Sequence, residues 1–104
     1  MAKSTPLDLT GCEPLLDGAG EFLRMWTRPG GPVTCFIDPK PIGADPFGFG
    51  IALVDCVRHG AKAYAQALGI PEEAALERIW EGFDAERDRP TDEPVSFTGK
   101  GVIN

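Results

Sequence analysis

Basic charge, histidine, cysteine and long apolar runs are all scarce in this chain, and each scarcity excludes a class of function. Ten Lys and Arg stand against 16 Asp and Glu, giving a formal charge of -6 and a pI of about 4.6. A nucleic-acid binder needs a basic footprint to displace phosphate counterions, so DNA and RNA are excluded as partners, and an anionic membrane surface with them. The longest apolar stretch, Phe47 to Val57, is broken by Asp55 and falls short of the roughly 18 to 20 residues of a spanning helix. No membrane role is expected. The opening Met1-Ala2-Lys3-Ser4-Thr5-Pro6-Leu7-Asp8 holds no apolar run that could serve as a secretory core. Three cysteines make an odd count without disulfide-framework spacing, so a reducing, bacterial-type cytoplasm is the expected setting.

The chain is 104 residues long, enough for one domain that buries about two-thirds of its unfolded surface and cannot enclose a large cavern. Its 13 glycines and 10 prolines are unevenly spread: 15 fall in residues 1–50, four in 51–89 and four in 90–104. The middle is therefore the helical part. We expect a poorly ordered segment over 1–20, a single domain over 21–89, and a flexible tail over 90–104. Acidity is local too. Residues 71–93 carry nine acids against Arg78, Arg87 and Arg89, which accounts for the whole net charge.

Residues 21–27 and 33–37 are rich in β-branched and aromatic side chains and flank Arg28-Pro29-Gly30-Gly31-Pro32. Proline followed by glycine suits a type II turn, so the pair reads as a β-hairpin. Alternation groups Phe22, Arg24 and Trp26 against Leu23, Met25 and Thr27, and both sides are apolar. Asp45 caps a helix with Pro46 at its first position that runs to Leu68 and stops at Gly69. Its apolar stripe holds Phe47, Ile51, Val54, Val57, Ala61, Tyr64, Ala65 and Leu68, opposite Asp55, His59, Lys62 and Gln66. A second helix over 71–87 has Ala75, Leu76, Ile79, Trp80 and Phe83 on one stripe, with Glu73, Glu77, Glu81, Asp84 and Asp88 along one flank. The resulting class is α+β: a hairpin followed by two antiparallel helices (ββαα), with the helices on one face of the hairpin.

Chemistry-bearing residues are few. His59 is the sole histidine, with Asp55 one turn before it and Arg58 beside it, so an enzyme or ligand site would centre on these three. No nucleophile is placed near them, and the same spacing describes an ordinary polar helix face. Cys56 and His59 are spaced to share a metal, with Cys35 or Cys12 completing a soft set, but a second paired motif is missing and no metal is expected. No cofactor is expected either. Gly48-Phe49-Gly50 has Leu53 where a dinucleotide fingerprint needs glycine and lies within a helix, and there is no P-loop. Partner binding has better candidates: Phe22, Arg24 and Trp26 as an anchor patch, and Glu77, Glu81 and Asp84 as an acidic ridge suited to a basic partner protein.

The strand Leu23-Arg24-Met25-Trp26, the run Arg58-His59-Gly60-Ala61-Lys62-Ala63-Tyr64, then Ala75-Leu76-Glu77-Arg78-Ile79, Phe83-Asp84-Ala85-Glu86 and Pro90-Thr91-Asp92 together resemble a family of small proteobacterial proteins classed as a domain of unknown function. The resemblance covers roughly residues 21–92 and implies the hairpin-and-helix fold without a reaction or ligand. We therefore expect a cytoplasmic binding or assembly module rather than an enzyme, the alternative being a small enzyme or ligand-binding protein built on Asp55, Arg58 and His59. A homodimer is expected as well, because helices can cover one face of the hairpin and a second copy would bury the other.

Overall fold

The computed structural model describes residues 2–89, 95–98 and 101–103. A four-residue helix, α1 (Glu13–Leu16), precedes a hairpin of β1 (Leu23–Thr27) and β2 (Val33–Ile37). Gly31 N–H donates to the Arg28 carbonyl at 2.8 Å, and Gly30, after Pro29, takes φ +72°, a conformation open to glycine for want of a Cβ. The register pairs Arg24 with Phe36 and Trp26 with Thr34 on one face, and Leu23 with Ile37, Met25 with Cys35 and Thr27 with Val33 on the other.

Two long helices follow, α2 (Pro46–Leu68) and α3 (Glu72–Asp88), so the α+β arrangement has the order read from the sequence. Asp45 accepts from Phe47 N–H at 3.0 Å, Pro46 takes the first position where its missing donor is harmless, and Gly69 closes the helix at φ +68° with its N–H on the Ala65 carbonyl. Replacing Asp45 with alanine removes that cap and is expected to cost about 0.5–2 kcal/mol. A denaturant midpoint identical to that of the parent would count against the cap. In α3, Glu72 and Glu73 sit in the first turn, where carboxylates favour the positive end of the helix dipole.

Residues 95–98 and 101–103, read from the sequence as part of a flexible tail, are strands β3 (Val95–Thr98) and β4 (Gly101–Ile103) of a sheet ordered β1-β2-β3-β4. β3 runs parallel to β2, and β4 antiparallel to β3. A parallel neighbour needs a long crossover, and α2 and α3 supply it. Strands of four and three residues, the first between Pro94 and Gly99 in the sequence and the second opening on Gly101, carry too little alternation to register as strands on their own. Pro90-Thr91-Asp92, part of the family-like pattern, lies outside the described residues.

Packing centres on the helical pair. Among the described residues Ala61 and Ala75 are the buried hydrophobic ones, and the Ile79 methyl lies where a Cβ on Gly60 would meet it at 3.7 Å. Phe22, just before β1, meets Phe49 of α2 edge to face, with ring centroids 6.1 Å apart, and so ties hairpin to helix. A Cβ at Gly20 would lie 2.8 Å from the Pro41 ring and one at Gly48 would lie 3.2 Å from Ile42, so the connector between β2 and α2 sits close against both. Phe47, Ile51, Val54, Tyr64 and Leu68 of α2 and Phe83 of α3 depart from the periodicity-based expectation: all six are exposed. α3 packs antiparallel against one side of α2, with Ile79 at Gly60 and Glu72 facing Lys62, and the exposed side chains lie off that contact.

Candidate functional site: the hairpin cleft

Alternation along β1 and β2 sends Phe22, Arg24 and Trp26 to the same side as Thr34, Phe36 and Asp38. That side contributes to an open cleft of 1090 Å³ that is lined also by Ala2–Thr5 and by Arg28, Pro29 and Pro32. The three sequence-selected anchor residues are thus brought together. Arg24 is not a free cation: its guanidinium forks onto Glu21, with Nε donating to Oε2 at 3.0 Å and Nη2 donating to Oε1. The hydrogen bonds and charge of Glu21 hold Arg24 above its already high ordinary pKa, so the cleft carries a permanently charged, oriented guanidinium. Trp26 is half-buried beside it. A planar cation beside an indole and a phenyl ring can take an extended chain by stacking and by directed hydrogen bonds.

Thr34, Phe36, Arg28 and residues 2–5 are cleft residues that the sequence reading passed over. Thr34 and Phe36 could have been found from cross-strand register. The approach of residues 2–5 across some twenty residues of chain has no local signal.

Asp55, Arg58 and His59 lie on the exposed surface of α2, and no hydrogen bond or ion pair joins Asp55 to His59 among the described residues. None of the three lines the hairpin cleft or the smaller hollow around Pro39, Ile42, Pro46 and Phe49. On α3, Glu81 accepts from Arg78 at 3.2 Å, and Glu72 faces Lys62 at 3.5 Å, both pairs exposed and therefore worth little. Glu77 and Asp84 are exposed on the same helix.

Cys12, Cys35 and Cys56 are free thiols on three separate parts of the fold, and among the described residues no three His, Cys, Asp or Glu side chains converge. Elemental analysis of the purified protein is expected to find no stoichiometric metal. One zinc per chain that disappears on replacing Cys56 or His59 would reverse this expectation.

The comparisons place the chain among known proteins. No curated protein matches it. A solved structure described as "Structure of a putative pyruvate dehydrogenase from the photosynthetic bacterium Rhodopseudomonas palustrus CGA009" is 38% identical, covers 89% of this chain and 91% of its own, and superposes with a TM-score of 0.60. A family model matches residues 17–91, a span that runs from the approach to β1 through both helices and takes in the hairpin side of the cleft. The protein therefore belongs to the family described as Domain of unknown function (DUF5076).

Proposed function

We propose that this protein is a binding or assembly module that acts through protein–protein contacts, with the cleft side of the hairpin as its contact surface. The observation that carries the reading is the grouping of Trp26, Phe22, Phe36 and a tethered Arg24 in one open cleft. Trp, Tyr and Arg dominate interface hot spots because they combine large apolar area with directed polar groups. The acidic flank of α3, with Glu77, Glu81 and Asp84, favours a basic partner and would raise its rate of encounter.

The test is isolation of the full chain from its source cell after cross-linking, alongside Trp26→Ala and His59→Ala variants checked for unchanged helicity. A stoichiometric complex that survives His59→Ala and is lost in Trp26→Ala supports the module. A small ligand, pyruvate among those screened, that raises the unfolding temperature of the parent but not of His59→Ala, with no complex formed, would instead favour the enzyme or ligand-binding reading around Asp55, Arg58 and His59.

A further inference from the structure

The ladder between β1 and β2 fixes which backbone groups of β1 are already paired. Asp38 N–H donates to the Phe22 carbonyl at 3.0 Å, so Phe22 and Asp38 are a hydrogen-bonded pair, and alternation makes Arg24 with Phe36 and Trp26 with Thr34 the next two. The N–H and C=O groups of Leu23, Met25 and Thr27 therefore point away from β2. β1 ends the sheet, and among the described residues no backbone hydrogen bond from another segment reaches those three. Natural sheets blunt such an edge with lysine, proline, a bulge or a covering segment. β1 holds no lysine or proline, pairs with β2 residue for residue without a bulge, and has one charge, Arg24, drawn along the chain onto Glu21.

Charge selects what pairs there. Centred on Met25, antiparallel pairing joins all five residues of β1 to those of a second copy. Leu23 and Thr27 exchange backbone bonds across the joint, as do the two Met25 residues, and Arg24 falls opposite Trp26 in the closer, non-hydrogen-bonded pairing. Phe22 falls opposite Arg28. Each cation of the strand and turn thus meets an aromatic ring of the other copy, on the cleft face. Sliding the pairing to the next register that keeps outward groups together sets Arg24 against Arg24 in one direction and against Arg28 in the other. The edge is complementary to itself in the register that pairs the whole strand, and that self-complementarity names a second copy as its occupant.

We infer that two copies of this chain pair antiparallel along β1, with Met25 at the two-fold axis, and so join their sheets into one. The contact is isologous, so each copy's edge is closed by the other's. Cross-strand partners share a face. The two cleft faces therefore lie side by side, and each gains the second copy's Trp26 and Arg28 opposite its own Arg24 and Phe22. The pairing uses the backbone edge of β1 and goes beyond the partner-binding reading rather than depending on it.

Sedimentation of the full chain at micromolar concentration is expected to give twice 11.1 kDa. Met25→Pro removes an N–H that points away from β2, a place where an edge strand tolerates proline. It is expected to weaken association by about a hundred-fold or more while the hairpin still forms. Should Met25→Pro fail to fold, amide exchange in the unaltered protein decides the matter. The N–H groups of Leu23, Met25 and Thr27 are expected to exchange as slowly as those of Arg24 and Trp26, which bond to β2, and to lose that protection on dilution. A mass of one chain, a dimer retained by a folded Met25→Pro, a larger assembly, a dimer in which the three outward amides exchange freely, or their protection only once a foreign protein is bound would each overturn the pairing. Each would leave the partner-binding reading standing, since that is decided by the loss of a cellular complex in Trp26→Ala.

Discussion

Replacing Ala61 with aspartate is expected to cost on the order of 3–5 kcal/mol, a large share of the roughly 5–15 kcal/mol by which domains are usually stable. Ala61 is 1% exposed, and the helices meet there because its methyl group lets them. A carboxylate at that point loses its water and finds no cation, since the neighbouring Lys62 faces outward to Glu72. Added bulk is a second, smaller penalty. Ala61→Leu, which brings volume without charge, is expected to cost about 1–3 kcal/mol. Ala63→Asp serves as the control, because Ala63 is exposed on the same helix and shares the loss of helix propensity without the desolvation. Urea unfolding followed by circular dichroism separates the three variants. An Ala61→Asp midpoint equal to that of Ala63→Asp would put Ala61 at the surface and undo the α2–α3 contact.

Both helices were legible because their boundaries are written in local chemistry: Asp45-Pro46 at one start, Gly69 at one end, and acids in the first turn of α3. The β1–β2 turn was legible for the same reason, from Pro29 and Gly30. The failures share a different cause. Periodicity groups Phe47, Ile51 and Tyr64 in an apolar stripe, but does not report which side of α2 the neighbouring helix takes, and all three stay exposed. Likewise the alternation of β1 grouped Phe22, Arg24 and Trp26, yet a one-residue change in register would have set Val33 rather than Thr34 across from Trp26. The cleft needs that register together with residues 2–5, and β3 needs a crossover through both helices before it can pair with β2. Each of these is a long-range relation that no window of sequence contains.

The unfolding temperature is expected to rise with protein concentration. Fully burying one Leu, Ile, Phe or Met side chain contributes about 1.5–3 kcal/mol, while ordering each backbone residue costs about 1–2 kcal/mol. Among the described residues no large side chain is fully buried, and the two buried hydrophobic residues are alanines. The two alanines contribute little to offsetting conformational entropy, and a second copy paired along β1, covering exposed side chains such as Met25, would add to that offset. Folding and association then become one equilibrium, so a hundred-fold rise in concentration stabilises the folded dimer by about 2.7 kcal/mol. For a cooperative unit of two such chains that corresponds to a rise of roughly 5–10 °C in the midpoint. Scanning calorimetry between about 1 and 100 µM measures the shift directly, and Met25→Pro, if it still folds, should abolish it. A midpoint that stays fixed across that range would mean that one chain is stable by itself and that pairing along β1 is not what holds the fold together.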